Sequence, residues 1–405
     1  MRRSLLSACL AALVVAPPLT AQNAGQKAEP ARPRLAAGAD TNDANAYYQL
    51  GLDVLERSPT KAADAFYWAA RINPAWAEPF YARRVALLLN DRHRLQSYWR
   101  RDKKTLRSPE TQRIDSLYLH ALALQPFLYQ KLDRVLFDAI VRDIAERATR
   151  YSEVTASELE YEMEVYLNSA PPAFRAWRAQ SQGDFERALS LYAEAIKRTR
   201  DDAWLHAERG RLFFQLGNAD SALVQLTQAL AKLRAADKKE VIYLYESKAL
   251  MEHRLGMVHR RLGNVDAARE AFGRALVEDL AYYPAHMEMG FLALEAKDTT
   301  TALSEMELAV QLAGDDPWLR YSYGYTLGVT NRLKEAEAQL RKSADLDPFF
   351  AAPHYVLGQV LDAQARGPEA LQAYRRFLAL ARRQEPNRAD AEERTAFLAA
   401  GSGKP

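Results

Sequence analysis

A spacing of 34 residues governs most of this chain. Gly256, Gly290, Gly324 and Gly358 stand 34 apart, and so do Ala268, Ala302, Ala336 and Ala370. Phe272, Met306, Leu340 and Tyr374 keep the same step, as do Ala275, Ala309, Ser343 and Phe377. The pairs Gly183 and Gly217, Ala188 and Ala222, and Ala195 and Ala229 carry it upstream. Columns in register over successive repeats confine the chain to stacked copies of one supersecondary unit. Each unit reads as two helices joined by a short turn. Small residues fall where the helices cross closely, because a larger side chain would hold the backbones apart. The large apolar residue four places after each column alanine lies on the same helical face, one turn on. A single unit leaves its apolar face bare, so its neighbours must complete the core.

The residues that set this pattern resemble the tetratricopeptide repeat. Leu255-Gly256 with Ala268, Phe272 and Ala275 carries that signature, and Leu357-Gly358 with Ala370 and Tyr374 carries it again. Asn73-Pro74 and Asp347-Pro348 sit where the repeat-ending proline belongs. The resemblance implies an all-α protein, a right-handed α-solenoid of helix pairs with a degenerate helical region between two repeat segments. Its units are 169–202, 203–248, 249–282, 283–316, 317–350 and 351–384, the second carrying 12 extra residues around a turn at 235–239. An earlier unit, 43–76, has Leu50-Gly51, Ala62, Phe66, Ala69 and Pro74, with its helix-to-helix step one residue short. Residues 77–89 read as the lone first helix of another. Departures from the family pattern include Ala176 where glycine is usual and Arg200 where proline is usual.

The organisation expected is therefore a signal peptide over 1–21, a flexible linker over 22–42 and N-terminal repeat-like helices over 43–91. A non-repeat helical region follows over 92–168, then a six-unit array over 169–384, then a capping helix and tail over 385–405. In the non-repeat region, Ser108-Pro109-Glu110 has the form of a helix start, and Leu117, His120, Ala121, Leu124 and Phe127 follow helical spacing.

Arg2 and Arg3 precede an uncharged apolar run, Leu5 to Ala16, which Pro17-Pro18 ends before the small residues leading to Ala21. That is the layout of a secretory signal peptide cleaved after Ala21. Its apolar run is shorter than the ~20 residues a membrane span requires. The chain is expected to be exported, most simply to a bacterial periplasm. Leu6-Ser7-Ala8-Cys9 offers a lipoprotein alternative, disfavoured because most of the apolar region follows Cys9 rather than preceding it. Cys9 is the single cysteine, which excludes a disulfide or a cysteine-based zinc site within the chain. A formal charge of +3 gives no overall attraction to nucleic acid.

Motifs that carry chemistry are missing from the sequence. It has no His-Glu-x-x-His, no Gly-x-Ser-x-Gly, no phosphate loop and no dinucleotide fingerprint. His206, His286 and His354 share one slot in their repeats, which in the family faces the partner helix, and read as packing residues. His253 and His259 are six apart and diverge on a helix, where a metal pair needs i,i+4 spacing. Asp201-Asp202 and Asp315-Asp316 precede helices, where capping accounts for them. No catalytic residue, cofactor or metal ligand is expected, and the reading is of a non-enzymatic protein, an enzyme without a recognisable motif being the remote alternative.

Two surfaces suggest partners. Arg92, Arg94, Arg100, Arg101, Lys103, Lys104 and Arg107 crowd one short segment against a single acid, Asp102. In an exported protein, Arg94, Arg100, Arg101, Lys103, Lys104 and Arg107 are candidate contacts for anionic lipid, which would make the chain a membrane-surface tether; the plain alternative is a solvated basic face.

The second surface follows from the resemblance, which implies a concave face lined by the second, fifth, ninth, twelfth and thirteenth residues of each first helix. These are Trp204, Ala207, Arg211, Phe214 and Gln215; then Leu250, His253, Met257, Arg260 and Arg261; then Pro284, Met287, Phe291, Leu294 and Glu295. Trp318, Tyr321, Tyr325, Gly328 and Val329 follow, and then Ala352, Tyr355, Gln359, Asp362 and Ala363. Aromatic residues and methionine dominate from 257 to 355, and such surface marks binding sites. The implied partner is a protein or peptide with apolar or aromatic anchors, held by Trp204, Arg211, Met257, Met287, Phe291, Trp318, Tyr321, Tyr325 and Tyr355. The carboxylate clamp of some family members is argued against, because the matching slots carry Met, Phe and Tyr. The competing reading is that the 92–168 helices or the C-terminal helix fold back and fill this face. The function expected is an exported interaction scaffold or adaptor, in cell-envelope assembly or transport.

Overall fold

The computed structural model describes residues 29–100, 102–151, 169–199, 202–236 and 247–401. The expected signal peptide, Cys9, Arg101, the side chains of Arg100 and Lys103, and the turn at 237–239 lie outside what is described. Among the described residues every regular element is a helix. By their contacts these residues form two compact units, Tyr81–Glu278 and a second made of 29–80 with 279–401. The boundary between Glu278 and Asp279 falls inside the 169–384 array, after its third helix pair.

The chain opens with α1 (Ala44–Val54), α2 (Pro59–Ile72) and α3 (Ala77–Asn90). The non-repeat stretch supplies α4 (Arg92–Arg100), α5 (Lys103–Leu106), α6 (Pro109–Leu124) and α7 (Asp133–Tyr151). Ser108 caps α6 as its spacing predicts, accepting from the Thr111 amide with Pro109 at the first helical position. Three helix pairs complete the first unit: α8 (Pro172–Ser181) with α9 (Phe185–Arg198), α10 (Ala203–Gln215) with α11 (Ala219–Ala236), and α12 (Lys248–Arg261) with α13 (Val265–Glu278).

The second unit continues with α14 (Tyr283–Glu295) and α15 (Thr299–Leu312), α16 (Pro317–Val329) and α17 (Leu333–Leu346), then α18 (Ala352–Ala363) and α19 (Gly367–Leu380). It ends with α20 (Arg388–Gly401). Within each unit the pairs are tetratricopeptide-type hairpins stacked as in an α-solenoid, and the helix bounds follow the repeat frames read from the sequence except at α12, which begins one residue ahead of its frame, at Lys248.

The column residues make the contact that closes each pair. A Cβ added at Gly324 would lie 2.8 Å from Leu340 Cγ, and one at Gly358 2.7 Å from the Tyr374 ring. At Gly256 and Gly51 it would strike Phe272 and Phe66. Glycine is therefore demanded where the first helix presses on the large residue of the second, and Phe66, Phe272 and Tyr374 are all buried there.

In the second unit, residues 29–43 are not helical and run against the helices at both ends of the sequence. Trp68 Nε1 donates to the Pro30 carbonyl (3.0 Å), and the Arg32 guanidinium lies over the Tyr47, Trp68 and Phe349 rings at 5.0 to 5.6 Å. Asn42 Nδ2 donates to the Ala379 carbonyl (2.9 Å), and the Arg383 amide donates to Asp40 (2.6 Å). Arg71 Nε donates to the buried Asp347 at 2.7 Å. The linker expected over 22–42 is thus tied down by specific bonds from residue 29 onward.

Candidate functional site

In the first unit, the face lined by α10 and α12 is covered by the chain's own segment between α6 and α7. Gln125, Pro126, Phe127, Leu128, Tyr129 and Gln130 form no helix. Three successive carbonyls of this segment accept hydrogen bonds from groove-slot side chains and their neighbour. Arg254 Nε donates to Pro126 O (2.8 Å), Gln215 Nε2 to Phe127 O (2.8 Å) and Arg211 Nη1 to Leu128 O (2.7 Å). Arg211 and Gln215 are one turn apart on α10 and so point the same way. The Phe127 ring stacks on Phe214 with centroids 3.8 Å apart and planes 17° from parallel, and the Arg254 guanidinium lies 5.9 Å from it. Phe127 is 3% exposed, within a cluster that includes Ala207, Leu230, Met251, Leu255 and Val258. Tyr129 donates its hydroxyl to the Gln180 carbonyl of α8 (2.7 Å).

Behind the segment lies a buried charge cluster. Arg211 is ion-paired with Glu208 and only 2% exposed. Burial pulls its guanidinium pKa down, but Glu208 outweighs that and raises it, so the charge is kept. Tyr81 donates to Asp133 (2.7 Å), and Arg84 Nε to Asp115 (2.9 Å). Burial pushes the Asp133 carboxyl up to about 6, against the opposing pulls of the Tyr81 hydroxyl and the Arg84 and Arg211 cations. Buried pairs of this kind add little net stability, but breaking one costs ~3–5 kcal/mol. At the end of the segment Tyr81 thus fixes Asp133, and Gln130 Nε2 donates to the Tyr118 hydroxyl.

In the second unit the equivalent slots look different. Trp318, Tyr321 and Tyr325 stack along one face of α16, their centroids 5.3 and 6.5 Å apart. Asp316 caps the helix, accepting from the Trp318 and Leu319 amides, and Phe350 braces Tyr321 edge-on at 5.5 Å. Tyr325 is 42% exposed and Val329, one turn further, 53%. Tyr355 on α18 is not open in the same way. It donates its hydroxyl to Asp390 of α20 at 2.8 Å, and Arg394 of α20 pairs with Asp362. Burial and that carboxylate push the Tyr355 hydroxyl up to about 12.

The other expected site residues divide between core and surface. Trp204 is buried, edge-on to Tyr192 at 6.2 Å, and belongs to the core of α8–α10 rather than to an open face. Met287 is buried too, and Phe291 packs half-buried against the same core. Met257 packs against the cluster around Phe127. Trp204, Met257, Met287 and Phe291, expected to hold a partner, thus serve the repeats' own packing. Arg94 is turned inward, its Nε 3.1 Å from Asp91 and its Nη1 on Ser108 and Thr111, so it does not belong to an exposed basic face. Lys104 and Arg107 are exposed. The histidine slot behaves as read: His206 Nδ1 meets Gln225 (3.1 Å) and His286 Nδ1 meets Glu305 (2.7 Å), each on the partner helix. Sequence reasoning missed Arg254 and Glu208, which share one repeat slot beside the groove positions. The slot carries Glu288 in the next repeat and Ser322 and Val356 only in the last two, and this run of charge at one position was the available signal.

Models of the tetratricopeptide repeat match residues 179–241 and 253–317. Protein O-mannosyl-transferase Tmtc1 of Drosophila melanogaster is 25% identical over 169 residues, which is 40% of this chain and 20% of the fly protein. The chain thus aligns with about a fifth of that relative's length. Among solved structures, YrrB, described as a TPR protein with an unusual peptide-binding site, is 20% identical. It covers 50% of this chain and 96% of its own, with a TM-score of 0.39. MamA from Desulfovibrio magneticus RS-1 is 20% identical over 44% of this chain and 94% of its own, at 0.38. The C-terminal part of a TPR repeat-containing protein from Cytophaga hutchinsonii is 14% identical over 57% and 88%, at 0.47. These are likenesses of fold alone.

Proposed function

On the premise that the chain is a tetratricopeptide-repeat protein, we propose that it is a non-enzymatic interaction scaffold that docks an apolar or aromatic-containing peptide on α16. The observation that carries this reading is the row of Trp318, Tyr321, Tyr325 and Val329, which runs from half-buried to open along one helix face. Stacked aromatics that are held rigid and left open offer contact area at little conformational cost. The scaffold works outside the cytoplasm, following removal of residues 1–21 by signal peptidase, in the assembly or transport of envelope components. N-terminal sequencing of the mature protein checks the export half of this reading; a mature chain that keeps Met1 would refute it.

Crosslinking capture from native envelopes, comparing wild type with the Trp318→Ala/Tyr321→Ala/Tyr325→Ala variant, checks the docking half. A partner held by the first and lost by the second, with unchanged melting, is the result expected. Equal capture would move the site away from α16.

A further inference from the structure

In the second unit the strand-like stretch 29–35 lies over three aromatic rings, and we propose that these rings form a recognition site for arginine in an extended, proline-flanked chain. Tyr47 of α1, Trp68 of α2 and Phe349 of the turn between α17 and α18 build the site, and the chain's own Arg32 occupies it. The site is not on the concave face. Tyr47 stands four residues before Gly51, the slot that His206 and His286 fill before Gly210 and Gly290, and Trp68 belongs to a second helix. None of these residues is on the α16 row, so the proposal stands independently of the function proposed above.

Three observations carry it. First, the cation is read by ring faces. The Arg32 guanidinium lies 5.3, 5.0 and 5.6 Å from the Tyr47, Trp68 and Phe349 centroids. Its Nε donates to the Tyr47 hydroxyl (2.9 Å) and its Nη2 to the Thr41 carbonyl. Among the described residues no carboxylate pairs with it. Arg71 nearby shows the ordinary alternative, paired with both Asp347 and Glu29. A cage of rings and neutral oxygens selects a planar cation, and arginine suits it better than lysine.

Second, the backbone around Arg32 has the form that aromatic grooves take. Residues 29–35 are in neither helix nor turn. Pro30 and Pro33 are three apart, and a polyproline II chain has about three residues per turn, which puts both on one edge. Glu29 and Arg32, each before a proline, are confined to extended backbone. Trp68 Nε1 donates to the Pro30 carbonyl (3.0 Å), so the indole reads main chain while its ring reads the cation. Arg71 Nη1 and the Tyr67 hydroxyl donate to the Glu29 carboxylate at 2.8 and 3.2 Å, which adds an acidic position just before the first proline.

Third, the occupant is a surface layer. Glu29, Ala31 and Arg34 are exposed, whereas Tyr47 and Trp68 beneath are 1% and 5% exposed. The stretch is held by side chains and one indole bond, so no helix or ladder has to break for another chain to replace it.

The probe is the blocked heptapeptide Glu-Pro-Ala-Arg-Pro-Arg-Leu, with controls carrying alanine or lysine for its first arginine. On the wild type it competes with a tethered copy at an effective concentration on the order of millimolar, and should bind weakly. The full chain carrying Pro30→Gly/Arg32→Ala/Pro33→Gly should bind it about tenfold tighter than the alanine control, with the lysine control between. A folded variant that treats probe and alanine control alike overturns the inference. Adding Phe349→Leu to that variant should abolish the preference, whereas adding Tyr321→Ala/Tyr325→Ala should leave it. The reverse pattern would put the probe on α16, overturning the inference and leaving the proposed function intact. Should the triple variant not fold, the single Arg32→Ala chain decides, with N-acetyl-arginine amide as probe. The probe is expected to raise the melting temperature of Arg32→Ala more than that of wild type and more than N-acetyl-lysine amide does; equal shifts overturn the inference.

Discussion

The two units present the same repeat slots to opposite ends. Arg211 and Gln215 in α10 correspond, three repeats on, to Tyr325 and Val329 in α16. In the first unit those slots carry hydrogen-bonding side chains that grip the backbone of 126–128. In the second they carry an aromatic ring and an isopropyl group that remain about half exposed. The helices are equivalent, so the difference comes from the side chains in these slots and from what lies against them. Polar slots recruited a piece of non-repeat chain, and apolar slots were left for something else.

Deleting the Phe127 ring is the strongest way to break this comparison. Phe127→Ala removes a fully buried ring stacked on Phe214 and leaves a cavity between α10 and α12. A loss of about 3–5 kcal/mol in unfolding free energy is expected, measured by denaturant titration. A loss below about 1 kcal/mol would mean that the segment contributes little to the first unit, and the contrast with α16 would vanish.

Acid titration sharpens it next. The folded-state pKa of Asp133, about 6, exceeds its ordinary 3.8, because burial at the end of the segment disfavours the carboxylate. Proton uptake therefore favours the fold. The stabilisation is fully present below about 4 and is lost as pH rises through about 6. Two pKa units correspond to about 3 kcal/mol at most. Asp347 in the second unit is also pushed up to about 6 by burial, although Arg71 and the Phe349 amide oppose it. Asp133→Asn should thus flatten the pH 4–6 dependence of first-unit melting and leave the dependence due to Asp347. An unchanged profile would place Asp133 in water.

A smaller contrast lies in the turns inside the pairs. The second residue after each first helix of the 169–384 array has positive φ. It is Gly183, Gly217 and Gly263 in the first unit and Lys297, Asn331 and Ala365 in the second, Ala365 at φ 59. A side chain there costs ~1–2 kcal/mol, offset in part by the greater freedom glycine restores to the unfolded chain. Ala365→Gly should stabilise the second unit by about 0.5–1 kcal/mol, and Gly263→Ala should destabilise the first by about 1 kcal/mol. Melting temperatures shifting by a few degrees in opposite directions would confirm both signs.

What the sequence made legible was whatever repeats. Gly256 against Phe272, and Gly358 against Tyr374, could be paired from spacing alone because one close helix crossing recurs every 34 residues. The loop at 125–130 has no period, and the donors to its three carbonyls lie 83 to 128 residues away. No local pattern encodes such a contact. Arg211 was recognisable as a groove residue, but the segment it holds was not. Trp204 and Trp318 occupy one slot and would be read alike; Tyr192 packs against Trp204 in the core, whereas Trp318 stacks on the open Tyr321 row. Neighbours, rather than the slot, decide burial.

The smallest expected effect is the one that most directly separates the two faces. Tyr325→Ala and Val329→Ser remove side chains that are already about half in water. Neither has a neighbour that closes over it in the way the 126–128 backbone closes over Arg211 and Gln215. Substitutions at such sites ordinarily stay within about 0.5 kcal/mol, so melting of the double variant should match wild type to within about 2 °C. Arg211→Ala, its counterpart in the first unit, leaves Glu208 buried without its cation and the Leu128 carbonyl without its donor, and should cost several times more, in line with the ~3–5 kcal/mol of a broken buried pair. If the α16 double variant instead melts as early as Arg211→Ala, then the second face is held closed by the chain itself. In that case both units would be filled solenoids, and the aromatic row would be core.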